Sequence, residues 1–247
     1  MSKFWIGRDK HHHESAQQKM TKAEQILAFY SALDFDRKYL DTDLEVLNPF
    51  EGASAEQEQA LSGFYHKFYS DDTPRNLVLG IIPGRLGAGA TGIPFTDTKR
   101  LIECGIPFES FSTHEPSSVF VYEAINAFGG PDKFYREFFI GSVCPLGFVV
   151  NKNGNWVNFN YYDRTSFSNA LAPYLLEQIK KQIELAGKNE RIIVFGTGKN
   201  LKFLQKLNKE YNFTPELVPL EHPRYVMQYK YKHREEYIAK YLEAFTR

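Results

Sequence analysis

NLVLGIIPGRLGAGATGIPF, residues 76–95, joins an apolar run to a segment with glycine at 80, 84, 87, 89 and 92 and proline at 83 and 94. The run has the length and composition of a buried strand, and the glycines and prolines after it build a shaped loop at its end. Three further short apolar runs resemble it: EFFIGSVC near 137–144, RIIVFG at 191–196 and ELVPLEHP at 216–223. Helical patterns separate them, in TDTKRLIECG, SSVFVYEAINAFGG, NALAPYLLEQIKKQIELAG and KNLKFLQKLNKEY. Strands alternating with helices predict parallel βαβ units. The expected fold class is therefore α/β, a three-layer α/β/α sandwich around a central, mainly parallel four-stranded sheet.

Outside this repeat, TKAEQILAFYSAL and SAEQEQALSGFYHKFYS read as two helices, and LDTDLEVLNPFEG between them as a loop. FVVNKNGNWVNFNYYD alternates around Asn153-Gly154, a hairpin signal, and EEYIAKYLEAF closes the chain as an amphipathic helix. No linker interrupts the pattern, so residues 1–247 are expected to form a single domain, with 1–20 as a flexible N-terminal arm.

Composition narrows the class. Hydrophobic residues make up 43% of the 247, with 21 Phe and 15 Tyr, enough for a substantial core. No stretch approaches the roughly 20 apolar residues of a membrane span, and MSKFWIGRDKHHHES lacks the apolar segment of a secretory signal. Two cysteines, Cys104 and Cys144, suit a reducing compartment rather than a disulfide scaffold. His11, His12 and His13 have no Cys or carboxylate spacing around them to make a metal site, and a solvated arm or an expression remnant accounts for them. Basic and acidic residues balance at 30 each, so any affinity for nucleic acid has to come from a local patch.

In open α/β sheets, ligands bind beyond the carboxyl ends of the strands. Three such ends carry unusual chemistry: the glycine loop, GSVCPLGF and EHPRYVMQYK. Gly87, Gly89 and Gly92 spell G-x-G-x-x-G, but four residues separate them from the strand, and Pro94 interrupts the chain where a helix should open. A dinucleotide fingerprint needs its first glycine at the strand end and an acidic residue about 20 positions on. FGTGKN at 195–200 fails as a P-loop, because Ile193 and Asn200 occupy the glycine and hydroxyl positions.

A strand followed by G-x-x-P-G, a glycine loop and T-G-x-P-F resembles the first active-site motif of the uracil-DNA glycosylase superfamily. The pattern is nearest that of the single-strand-selective monofunctional uracil-DNA glycosylases, G-M-N-P-G…T-G-V-P-F. FIGSVCPLGF resembles their F-V-x-N-x-C-P-L segment, LEHPRYVMQ their L-x-H-P-S-P-R-N-P motif, and RIIVFGTGKNLKFL the strand, glycine turn and helix before it. The likeness covers about residues 75 to 245.

The resemblance implies a monofunctional DNA glycosylase of base excision repair that flips a deaminated nucleotide into a pocket and needs no cofactor or metal. Damaged DNA would be its partner, with no membrane and no obligate protein partner evident, and its setting the cytoplasm of a bacterial-type cell, at the nucleoid. Phe95 matches the aromatic that stacks on the extruded base, and His222 the histidine that donates a hydrogen bond to the departing base. The family's water-positioning asparagine corresponds to Ile82, and its base-reading asparagine to Ser142. Isoleucine forms no hydrogen bond with water, and a hydroxyl reads a base differently from an amide. These departures resemble a divergent second bacterial subtype, associated with xanthine excision. Xanthine has an acidic ring, so it leaves with less help than uracil needs.

Water activation stays open between Asp97, otherwise a helix N-cap, and water held by main chain near Ile82 and by Thr91. Arg224, Tyr225, Met227 and Lys230 lie in a stretch without acids, 222–234, suited to phosphate contacts and to a wedge supplied by Tyr225 or Met227. Gly84, Arg85, Gly87 and Gly89 can bring backbone N–H groups to phosphate, or make a tight turn that binds nothing. Two other classes remain: a lesion-binding module impaired in catalysis by Ile82 and Ser142, and a dinucleotide-binding oxidoreductase.

Overall fold

A computed structural model describes residues 20–247; the His11–His13 cluster and nearly all of the expected arm lie outside it. In chain order the elements are α1 (Lys22–Ser31), β1 (Leu44–Leu47), α2 (Ala55–Phe68), β2 (Arg75–Gly80), α3 (Ala88–Thr91), α4 (Thr98–Glu103), α5 (Pro116–Phe128), α6 (Pro131–Glu137), β3 (Phe138–Ser142), β4 (Gly147–Lys152), β5 (Asn155–Asn158), α7 (Thr165–Ala186), β6 (Gly187–Phe195), α8 (Lys199–Tyr211), β7 (Leu217–Leu220), α9 (Pro223–Tyr229) and α10 (Arg234–Thr246).

The central sheet has the order β3-β2-β6-β7, and every neighbouring pair is parallel. Its strands are apolar runs rather than alternating ones, as burial on both faces demands. Leu77, Val78 and Leu79 of β2 and Ile192 to Phe195 of β6 are fully buried. Helices flank the sheet: α7 packs on β2, β3 and β6, α6 on β2 and β3, and α10 on β7 and α5. This is the α/β/α architecture expected from the strand–helix alternation.

A second sheet, β1-β4-β5, is antiparallel. Asn153 (φ 52°) and Gly154 (φ 82°) are its two-residue hairpin turn, the left-handed pair that an Asn-Gly sequence favours. The segment expected as a loop before α2 instead contributes β1, paired with β4 from Leu44↔Val150 to Leu47↔Gly147. Its partner lies about a hundred residues away, and four residues bounded by Asp and Asn-Pro carry too little periodicity to announce a strand. The first part of the basic-aromatic stretch after His222 is helix α9. Pro223 sits at its first position, where a missing N–H costs nothing, and the His222 ring accepts the N–H of Arg224.

Parallel pairing brings the ends of β2, β3 and β7 to one edge. Gly80 lies opposite Ser142, and the chain stays paired beyond the strands, with Val143 N–H donating to Gly80 O and Cys144 N–H to Ile81 O. Gln182 of α7 secures this edge from below: its Oε1 accepts the Ser142 N–H at 3.0 Å, and its Nε2 donates to the Ser142 carbonyl at 2.9 Å. Truncation in Gln182→Ala leaves two buried main-chain groups without partners, and unfolding in urea is expected to show a loss of about 2–4 kcal/mol.

Candidate active site

Above that edge lies a pocket of about 380 Å³. Ile82 and Gly84 enter it from the loop after β2, Ser142 from the end of β3, and His222 from the end of β7. Arg224 and Tyr225 line it from α9, and Phe95 from the turn before α4. Seven of the positions singled out in the sequence thus converge, although they are spread from residue 82 to residue 225.

Phe95 is held in a conformation that non-glycine residues seldom adopt, φ 53°. Its ring lies across the end of β2, where a Cβ on Gly80 would stand only 2.8 Å from Phe95 Cε2. An edge contact with Phe195 at 5.3 Å steadies the ring, whose centroid is 5.9 Å from that of His222. The glycine at 80 is what lets an aromatic face occupy the floor of the pocket.

His222 has its tautomer set by the main chain. Nδ1 accepts the Arg224 N–H at 3.1 Å, so the ring proton of the neutral imidazole resides on Nε2. Burial first, and the Arg224 charge second, pull its pKa down to about 4. The imidazole is therefore a neutral N–H donor through the physiological range. The loop carrying it is fastened from α10 by Tyr241, whose hydroxyl donates to the Glu221 carbonyl at 2.5 Å.

Arg85, Gly87, Gly89, Met227 and Lys230 do not line the pocket. Gly87 and Gly89 both donate their N–H groups to the Gly84 carbonyl, at 3.1 and 2.8 Å, so these amides are not offered to phosphate. Gly89 is instead a packing glycine: a Cβ there would meet Leu47 Cδ2 at 2.6 Å and Gly84 O at 2.7 Å. The Arg85 N–H donates to Asn158 Oδ1 at 3.3 Å while its side chain is exposed. Met227 packs against the core, whereas Tyr225 and Tyr229 face outward with ring centroids 5.5 Å apart. Lys230 closes α9 through its N–H to Val226 O.

The pocket also contains residues that sequence reasoning passed over: Glu115, Asn158, Asn160, Tyr162 and Gln228. Glu115 precedes α5, and the asparagines come from the hairpin, so no motif marked them. Burial is the main reason that the Glu115 carboxyl is pushed up to about 7; Asp97 raises it further, while the Ser118 hydroxyl and Arg224 pull the other way. Asp97 itself is fully buried and engaged, capping α4 through the Arg100 N–H at 3.0 Å and accepting the Glu115 N–H at 2.8 Å. Thr91 is turned inward, its hydroxyl donating to the Thr96 carbonyl at 2.6 Å. Among the described residues, no group of three His, Cys, Asp or Glu side chains is placed to hold a metal, and no helix is long and apolar enough to cross a membrane.

The parallel α/β/α sheet thus brings an aromatic, a hydroxyl and a neutral histidine into one pocket beyond its strand ends. The family model of the uracil DNA glycosylase superfamily matches residues 66–246. The crystal structure of wild-type Pedobacter heparinus SMUG2 is similar over 92% of this chain and 98% of that chain, with 46% sequence identity and a TM-score of 0.89. No curated protein matches the chain. The chain belongs to the uracil DNA glycosylase superfamily, in its SMUG-like branch. It is a DNA glycosylase, a hydrolase of N-glycosyl bonds acting in base excision repair.

Ionising Glu115 opposes folding, because its folded pKa stands above the ordinary carboxylate value. Stability associated with the proton is complete below about pH 4.5 and lost as pH rises through about 7. Glu115→Gln is therefore expected to gain on the wild type between pH 4.5 and 8, by up to about 3 kcal/mol at 1.36 kcal/mol per pKa unit. Urea unfolding of both proteins at the two pH values checks the sign.

Proposed function

We propose that this chain excises deaminated bases, xanthine and uracil, from DNA after flipping the nucleotide into the pocket between Phe95, Ser142 and His222. The observation that carries the reading is the imidazole: neutral above about pH 4, with its proton directed to Nε2 by the Arg224 N–H. Cleavage of the bond from sugar to base leaves the electron pair on the base. A fixed N–H donor stabilises that developing anion without first having to reorient.

The other roles come from position. The Phe95 ring offers a flat apolar face, and stacking a base on an aromatic contributes about 1–3 kcal/mol toward the cost of unstacking it from DNA. Ser142 holds its main chain rigid through Gln182 and offers the pocket a hydroxyl, which donates once and accepts twice. A serine is smaller than the family's asparagine and leaves room for a purine. Ile82 supplies no hydrogen bond to water, which favours a leaving group as acidic as xanthine.

On the rim, Arg224 offers a cation to phosphate, and Tyr225, 42% exposed beside the pocket mouth, is the side chain placed to fill the space vacated by the flipped nucleotide. The reading takes the chain as one catalytic domain, supported by the hairpin sheet, which delivers Asn158, Asn160 and Tyr162 to the same pocket.

The test is single-turnover base release from oligonucleotides carrying one xanthine, uracil or hypoxanthine, single- and double-stranded, with alkaline cleavage afterwards. Wild type is expected to release xanthine and uracil, and His222→Ala to slow release by about 10²–10³-fold. Absence of xanthine and uracil release by the wild type would overturn the substrate assignment. Tyr225→Ala is expected to weaken binding of lesion-bearing duplex more than binding of single strands, measured by fluorescence anisotropy; equal loss on both would remove it as the wedge.

A further inference from the structure

Among the described residues, the pocket contains one carboxylate, and none of the roles given to Phe95, Ser142 and His222 uses it. Glu115 stands at the head of α5, with its side chain in the pocket wall beside Gly84. The carboxylate lies over the glycine loop: a Cβ on Gly84 would sit 3.1 Å from Oε1, and one on Gly87 2.0 Å from Oε2. The glycine at 87 leaves room for it in this rotamer, while a Cβ at 84 would crowd Oε1 by only a few tenths of an ångström. Oε2 accepts the Ser118 hydroxyl at 3.1 Å, which fixes the rotamer and leaves Oε1 against Gly84.

Hydrolysis needs a group to orient water and take its proton. Ile82, two residues before Gly84, cannot do this. Thr91 and Asp97 are occupied by main-chain partners and lie outside the pocket lining. Resting on the reading that the chain hydrolyses N-glycosidic bonds in this pocket, we propose that Glu115 is the catalytic base that positions and deprotonates the attacking water. The job done by an amide at position 82 elsewhere in the family is thereby moved to a carboxylate on a different element.

In this step the water oxygen bonds to C1′ of the sugar and its proton passes to Glu115. The bond from C1′ to the base nitrogen breaks, and its electron pair leaves with the base. Nε2–H of His222 holds the resulting anion, which takes a proton from solvent after release. Glu115 returns its own proton to solvent, so the enzyme ends as it began.

The groups facing Glu115 are consistent with a base working near neutrality. Asp97, from the turn before α4, accepts the Glu115 N–H at 2.8 Å and opposes its ionisation. Asp97 is itself paired with Arg100 at 3.4 Å and lies 3.8 Å from His114. Arg224 of α9 and the Ser118 hydroxyl favour the carboxylate, and burial against the loop outweighs them, holding the pKa at about 7. A base must be ionised to accept a proton, so the rate should climb with pH and level above about 7. His222, neutral above about pH 4, contributes no limb in that range.

The experiment is a pH series of single-turnover release from single-stranded oligonucleotides carrying xanthine or uracil, with wild type, Glu115→Gln, Glu115→Ala and His222→Ala. Glu115→Gln is expected to bind the oligonucleotide as the wild type does, to release base about 10²–10⁴-fold more slowly, and to lose the limb near pH 7. Added formate, a small carboxylate that can enter the vacated space, is expected to restore part of the Glu115→Ala rate and none of the His222→Ala rate. Introducing Ile82→Asn into Glu115→Gln is expected to recover activity without recovering the limb. Should Glu115→Gln keep the wild-type rate and pH profile while His222→Ala is impaired, the chain would remain a glycosylase and Glu115 would not be its base. A wild type that releases neither base would overturn both readings.

Discussion

Parallel pairing of β2 with both β3 and β6 is the constraint on which the site depends. It buries a strand of Leu, Val and Leu on both faces and leaves nothing polar in its middle. All chemistry is thereby pushed to the strand ends. Because the pairs run in the same direction, the ends of β2, β3 and β7 meet at one edge, where Gly80 sits opposite Ser142. An antiparallel neighbour would have carried Ser142 to the far side of the molecule.

The glycine loop is a device of shape. Gly80 gives its space to the Phe95 ring, Gly87 to the Glu115 carboxylate, and Gly89 to Leu47 and the Gly84 carbonyl. In each case the missing Cβ admits another group at a distance that a methyl could not share. Amides of Gly87 and Gly89 close onto Gly84 and keep the loop rigid. The resemblance to a dinucleotide fingerprint therefore ends at the spelling.

Electrostatics in the pocket work in opposite directions on two groups that burial treats alike. Desolvation disfavours charge, so it leaves the histidine neutral and tends to keep the glutamic acid protonated. For the hydrogen-bond donor proposed here, neutrality is useful at every physiological pH. For a carboxyl, the same desolvation brings its proton affinity into the range where proton transfer from water is best driven. Both arrangements oppose folding to some degree, and the extended aromatic core beneath them supplies the offsetting stability.

The sequence by itself determined the strand–helix alternation, the Asn153-Gly154 hairpin and the three strand ends. Their signals are local: apolar runs of strand length, turn residues at fixed offsets, and motifs in order. Its resemblance to the glycosylase motifs also pointed to Phe95, Ser142, Ile82 and His222, three of them close to a strand end and Phe95 in the turn before α4. Only the tertiary structure decided what surrounds them. The β1 strand became visible only with its partner β4 in place, and α9 only with His222 capping it. Met227 turned to the core while Tyr225 and Tyr229 stayed on the rim, a choice of helix face that pairing with α5 and α10 settles. Glu115 had no motif at all. A carboxylate acquires meaning from burial and from the glycine that leaves it room, and neither exists until residues 87 and 115 are folded together.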